Sequence, residues 1–196
     1  VGFSAVAVRA PEADGGAAII KREPRRLDLS AIAKGLGVDQ IYTLLDDQGY
    51  ANFLVEIGGE VRVKGDKDGL GWKIAVEKPI RGERAVEQVL SLKNVALATS
   101  GDYRNYREID GVAYSHTIDP STGRPVTHQL ASVTVADSEC AMADGWATTL
   151  LVLGPDKGYE LAVSRKIPAM FIERFGDTFI VKQTPRFERL LAGEVE

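Results

Sequence analysis

The residues best suited to chemistry lie in two stretches: 114–125, Tyr-Ser-His-Thr-Ile-Asp-Pro-Ser-Thr-Gly-Arg-Pro, and 141–149, Ala-Met-Ala-Asp-Gly-Trp-Ala-Thr-Thr. The first sets His116, one of two histidines in the chain, beside a polar turn punctuated by glycine and proline. Imidazole titrates near neutrality, which makes His116 the foremost candidate acid or base. The second places Asp144 and Thr148 four residues apart in a helix-like run, one turn along one face. Two adjacent hard oxygen donors suit Mg²⁺, which favours carboxylate and other oxygen ligands together with substrate phosphates. A plainer alternative exists for each. Asp144 could occupy the first turn of a helix, where negative charge is favourable. Thr148 could bond back to a carbonyl one turn earlier.

Three further segments have both a plain and a sharper reading. Leu27–Gly35 sits at a strand-to-helix junction, where unpaired N–H groups favour anions and Lys34 would strengthen a phosphate contact. The alternative is a capped surface helix with a solvated lysine. Gly58-Gly59 after an apolar strand reads as a hairpin turn before it reads as a ligand contact. Thr99–Tyr103 ends a strand in small polar residues, a loop by default and a ligand loop on the sharper reading. His128 lies in a polar loop with no comparable setting. Ser100, Ser115 and Cys140 form no recognisable nucleophile arrangement, and no Gly-x-Ser-x-Gly, Walker loop or dinucleotide glycine motif is found.

The elements that must position these residues follow from periodicity. Strands are expected over 1–9 and 17–21, then 52–57, 61–64, 72–77, 86–93, 95–99, 106–109, 112–118 and 131–136. In the strand over 112–118, Tyr114, His116 and Ile118 share one face and Ser115 and Thr117 the other. Asp110-Gly111 signals a hairpin. A helix is expected over 31–48, capped by Ser30 and ended by Gly49, with Ile32, Val38, Ile41, Leu44 and Leu45 at helical spacing. Gly35 and Gly37 within it each cost about 1 kcal/mol relative to Ala, which points to a close backbone approach or an irregular first turn. Helices over 141–153 and 155–165, a hairpin turning at 175–177, and a short helix over 185–191 complete an α+β pattern of antiparallel hairpins and packed helices.

Bulk properties set the class. At 196 residues, 44% hydrophobic and 27% charged, the chain can build one domain with a real core. A net charge of -4 argues against a nucleic-acid footprint, and Lys21–Arg26 reads as a solvated loop. Cys140 is the only cysteine, so no intramolecular disulfide or thiolate metal cluster forms. No apolar run reaches the length of a membrane span. Beginning at Val1 in a strand-like run, the chain reads as a piece of a longer protein.

Taken together and in order, Asp28–Gly35 with Val38-Asp39, Val55–Gly59, Thr99–Tyr106 with Ser115–Pro125, and Ser132–Val135 with Ala143–Thr148 resemble the ApbE family of flavin transferases, over nearly the whole chain. The resemblance implies a single domain over 1–196 of the family's α+β, T-fold-like architecture, with mixed, largely antiparallel sheets and lacking an N-terminal part. It implies Mg²⁺ held by the Ala31 carbonyl and the side chains of Asp144 and Thr148. Some members carry an acid at the position of Ala147, which cannot ligate through its side chain. It implies FAD as substrate, contacted by Asp28, Lys34 and the backbone at Ile118, with His116 next to the reaction centre. The implied reaction attaches FMN to a Thr or Ser hydroxyl in a motif resembling Asp-x-x-[Ser/Thr]-Gly-Ala-[Ser/Thr], releasing AMP. The acceptors implied are flavoprotein subunits of respiratory or electron-transfer complexes of the Nqr, Rnf and NosR kinds. The location implied is the periplasm, with an inner-membrane lipid anchor on the missing N-terminal segment. Hydrolysis of FAD to FMN and AMP at the same Mg²⁺ site is the enzymatic alternative, and flavin binding without turnover the non-enzymatic one.

Overall fold

The computed structural model describes residues 3–11, 16–24, 26–80, 82–103, 106–109, 112–115, 117–176 and 178–194. In chain order the elements are β1 (Val6–Arg9), β2 (Ala18–Lys21), α1 (Ala33–Asp47), β3 (Phe53–Ile57), β4 (Glu60–Lys64), β5 (Trp72–Glu77), β6 (Val86–Leu92) and β7 (Val95–Gly101). There follow β8 (Tyr106–Ile109), β9 (Val112–Ser115), β10 (Ile118–Asp119), β11 (Arg124–Pro125), β12 (Leu130–Asp137), α2 (Cys140–Leu153), α3 (Pro155–Ser164), β13 (Ala169–Phe175), β14 (Thr178–Gln183) and α4 (Pro185–Leu191).

Six strands form one sheet in the order β14-β13-β12-β7-β4-β3, and every described pairing is antiparallel. The alternation along each strand divides the core in two. On one face Ala98, Val133, Val135 and Phe171 pack with Ala143, Ala147, Leu150 and Leu151 of α2 and Ala162 of α3. On the other, Val61, Val63, Leu97, Met170 and Ile172 pack with Val76, Leu90 and Leu92 of the β5–β6 ribbon and Phe187 of α4. Each of the large side chains in these clusters contributes about 1.5–3 kcal/mol by leaving water. Small residues on α2 let it lie close to the sheet. Thr184 caps α4 by accepting the Phe187 amide, as an N-cap threonine should.

Where expectation and structure differ, a local interaction explains it. Ser30 does not cap α1: its hydroxyl and its amide both donate to the Asp28 carboxylate, and the helix starts after a turn, at Ala33. The apolar spacing in α1 overstates its buried face. Val38 is fully buried, but Ile32, Ile41 and Leu44 are exposed. The strand expected over 112–118 is two pieces, β9 ending at Ser115 and β10 beginning at Ile118, with β10 paired to β11 instead. The first strand is preceded by a 3₁₀ turn over Phe3–Ala5 rather than running from the first residue. The strands expected to form hairpins pair as β8–β9 and β13–β14, while Asp110, Gly111 and Asp177 of the expected turns lie outside the described residues. Gly58 and Gly59, at φ of 60° and 103°, make the β3–β4 turn that the plain reading favours.

Candidate active site at the α1–α2 junction

A Cβ at Gly35 would stand 2.3 Å from the Cys140 carbonyl oxygen, so glycine alone lets the start of α1 touch the start of α2. That contact redirects a backbone bond. The Gly35 amide donates to Asp144 Oδ2 at 3.0 Å. In an uninterrupted helix it would donate to the carbonyl four residues back, that of Ala31. The next amide, Leu36, does follow the rule and reaches the Ile32 carbonyl at 2.9 Å. Among the described residues the Ala31 carbonyl therefore receives no backbone hydrogen bond. One interaction fixes the Asp144 carboxylate and releases the Ala31 oxygen.

Asp144 is 3% exposed and lies beyond the first turn of α2. Its Oδ1 takes no hydrogen bond among the described residues. Burial pushes its carboxyl above the usual range, against the Gly35 amide and the Lys34 charge, which favour the ionised form. Thr148, one turn on, shares a 3.0 Å hydrogen bond with the Ser100 hydroxyl of β7. The bond back to a carbonyl one turn earlier is made by its neighbour Thr149, to Gly145 at 2.8 Å. Neither plainer reading of the pair therefore describes it. A free carbonyl, a half-satisfied carboxylate and a hydroxyl are hard oxygen donors and fit Mg²⁺. No three His, Cys, Asp or Glu side chains group together among the described residues, so a cation here would rely on neutral oxygens and water for the rest of its shell.

Lys34 is exposed but also paired. Its Nζ donates to Glu60 Oε1 at 2.6 Å, with the lysine side chain 45% exposed and the glutamate 1%. Burial pushes the Glu60 carboxyl up, Lys34 opposes the shift, and the nearby Asp144 charge adds to it. Glu60 belongs to a row on the α1-facing side of β4, where Arg62 pairs with Asp39 at 2.6 Å and Lys64 pairs with Asp46. Asp39 also accepts the Cys140 amide at 2.9 Å and the Ala141 amide at 2.8 Å, capping α2 from another helix. From the sequence, Glu60 and Arg62 have no assigned role, and Asp39 figures only within the Val38-Asp39 segment. The signal for Glu60 and Arg62 is the charged–Val–charged–Val–charged alternation of Glu60–Lys64, which extends the strand expected over 61–64 by one charged residue.

The structure thus joins Ala31, Lys34, Asp144 and Thr148 around one helix junction. Asp28 lies in the coil before α1, exposed, its carboxyl held below the usual range by the Ser30 hydroxyl and amide. Ile118 is 48% exposed on β10, an element that lies against α2. His116 lies outside the described residues. The His128 ring rests on Gly154, and its nitrogens have no hydrogen-bond partner among the described residues.

The profile of the ApbE family matches residues 1–171. The chain belongs to the ApbE family. The FAD:protein FMN transferase of Vibrio cholerae is 48% identical over 167 residues, covering 85% of this chain and 50% of that protein. The one from Escherichia coli K12 is 39% identical over 169 residues, covering 86% and 48%. The chain spans about half the length of the curated relatives it matches. Among solved structures, the apo flavinyl transferase ApbE of Pseudomonas stutzeri superposes with a TM-score of 0.82 at 38% identity, over 100% of this chain and 58% of that one. The ApbE protein of Thermotoga maritima gives 0.82 at 29% identity, over 100% and 61%. These ApbE neighbours share the α+β fold read from the sequence.

Proposed function

We propose that the protein transfers FMN from FAD to a Thr or Ser hydroxyl of an acceptor flavoprotein, releasing AMP, with Mg²⁺ held by the Ala31 carbonyl, Asp144 and Thr148. The observation that carries this reading is the Gly35–Asp144 bond, which frees the Ala31 carbonyl beside a half-satisfied carboxylate. The names of the curated relatives support the flavin part of it. Bound Mg²⁺ would neutralise charge developing on the pyrophosphate oxygens.

The chain's own residues do the rest. Gly35 holds Asp144 with one oxygen turned free, and Ser100 orients the Thr148 hydroxyl. Lys34 adds positive charge at the start of α1. The acceptor hydroxyl oxygen bonds to the FMN phosphorus as the bond from that phosphorus to the AMP oxygen breaks. The hydroxyl proton passes to a base, the role we propose for His116, and AMP leaves with the bridging oxygen.

The test is mass spectrometry of the full-length protein incubated with FAD, Mg²⁺ and an acceptor domain. The acceptor should gain the mass of FMN less water, with one AMP released per adduct. Equal AMP release with and without acceptor, and no adduct, would establish hydrolysis instead.

A further inference from the structure

The three ion pairs between β4 and α1 are unlike one another in burial. Lys64–Asp46 is open to solvent, with side chains 29% and 43% exposed. Arg62–Asp39 is intermediate, at 19% and 13%. Lys34–Glu60 buries its acid completely, at 1%, while its lysine stays 45% exposed. Burying a carboxylate is costly, and an open pair would tether β4 to α1 at lower cost. Glu60 Oε2 has no hydrogen-bond partner among the described residues, so the burial is not repaid by a full set of bonds. The pair runs beneath the β3–β4 turn. A Cβ at Gly58 would stand 3.4 Å from Lys34 Cδ and 3.9 Å from Glu60 Oε2. An ammonium has three donors, and Glu60 is the one ion-pair partner of this one among the described residues. The lysine side chain is otherwise 45% exposed, and Lys34 stands three residues after Ala31 in the chain.

We propose that Glu60 is a positioning residue for FMN transfer: its buried carboxylate fixes the Lys34 ammonium beside the Ala31, Asp144 and Thr148 oxygens, so that its free protons meet the pyrophosphate of FAD. This rests on the function proposed above. Lys34 on its four-carbon stem is otherwise a mobile charge, and anchoring one proton direction fixes the other two.

The experiment is a double-mutant cycle in the full-length protein with Glu60→Gln and Lys34→Gln, with Lys64→Gln as a control on the open rung. Each single variant at the site should lower kcat/KM by about 10–100-fold. The double variant should be no worse than the worse single, and Glu60→Asp should recover part of the loss. Lys64→Gln should leave kcat/KM unchanged. Additive losses would overturn the proposal. So would a lower Tm for Glu60→Gln with kcat/KM unchanged per folded molecule, or an equal loss in Lys64→Gln. Should Glu60→Gln not fold, Lys34→Gln and Lys34→Arg probe the pair from its exposed end; unchanged kcat/KM in Lys34→Gln overturns it. Should the unsubstituted protein transfer no FMN, the proposed function fails by itself. The same cycle, read by equilibrium FAD binding with Mg²⁺, then decides whether Glu60 acts through Lys34: coupled losses support it and additive ones overturn it.

Discussion

Two carboxylates sit at the α1–α2 contact, one on each helix, and they are satisfied to different degrees. Asp39, reaching from α1, bonds both oxygens: the Cys140 and Ala141 amides and the Arg62 guanidinium. Asp144, on α2 itself, bonds one oxygen to the Gly35 amide and leaves the other free. Both are largely buried, with Asp39 13% exposed and Asp144 3%. A carboxylate whose valences are all met holds the fold together. One buried with a valence open carries a cost the fold does not need, and that surplus marks chemistry. The same distinction separates Glu60, with its unpartnered oxygen, from the more exposed Asp39 and Asp46 of the rungs beside it.

The largest expected effect breaks the open valence. Asp144→Ala should abolish Mg²⁺-dependent transfer, because it removes the one charged ligand of the proposed set. It should also cost about 1–3 kcal/mol, since the Gly35 amide loses its acceptor. Transfer rate against Mg²⁺ concentration, with Tm measured alongside, checks both. Equal rates for variant and unsubstituted protein at limiting Mg²⁺ would sink the metal assignment.

Gly35→Ala attacks the contact that creates the asymmetry. The added methyl meets the Cys140 carbonyl at 2.3 Å, so α1 and α2 must part. Overpacking of this kind costs about 1–3 kcal/mol. The Gly35 amide should then return to the Ala31 carbonyl, and Mg²⁺ affinity should fall together with Tm. A variant that loses Tm alone would separate the helix contact from the site.

How much of this was legible in the sequence depends on the range of the forces involved. Turns were: Gly49 and Gly58-Gly59 act over a few residues, and their chemistry is local. The Asp144–Thr148 spacing was legible because one helical turn is a local rule. The suspicion attached to Gly35 was right in kind, but the partner, Cys140, lies 105 positions away and no local rule names it. Ser30 misled because a hydroxyl before a helix looks like a cap whether or not an aspartate two residues earlier takes it. Apolar spacing in α1 misled for another reason. Its contact with β4 is partly made by charges, so Lys34, Asp39 and Asp46 do work that periodicity assigns to Ile41 and Leu44.

Asp39→Asn sharpens the comparison from the satisfied side. It weakens the bond to Arg62 and turns one acceptor into a donor facing an α2 amide. Breaking such a pair from one side costs about 3–5 kcal/mol when fully buried, and partial exposure here reduces that to about 2–3 kcal/mol. In a chain of this length Tm should fall by about 4–12 °C. Transfer per folded molecule should stay within a few-fold. If Asp39→Asn lowers Mg²⁺ affinity as much as Asp144→Asn does, the two carboxylates do one job and the distinction fails. Thr148→Val should be milder still than Asp144→Ala. It removes one neutral oxygen and leaves Ser100 without its partner, for a loss of about tenfold in transfer.

The smallest effect lies between the two carboxylates, at Cys140. A thiol at a helix N-terminus is ordinarily acidified. Here burial, and then the charges of Asp39, Glu60 and Asp144, push it up to about 12. The native protein should therefore resist iodoacetamide at about pH 8, where a free thiol reacts readily. Labelling should follow opening of the α2 start, so it reports the strength of that cap. Asp39→Asn should speed labelling in proportion to its lost stability. Asp144→Asn, which keeps an acceptor for Gly35 and leaves the cap untouched, should label at nearly the unsubstituted rate. Fast labelling of the unsubstituted native protein would mean that the start of α2 is not held as described. Equal acceleration by the two substitutions would mean that Asp144 also carries the cap, and the contrast between a holding and an acting carboxylate would be lost.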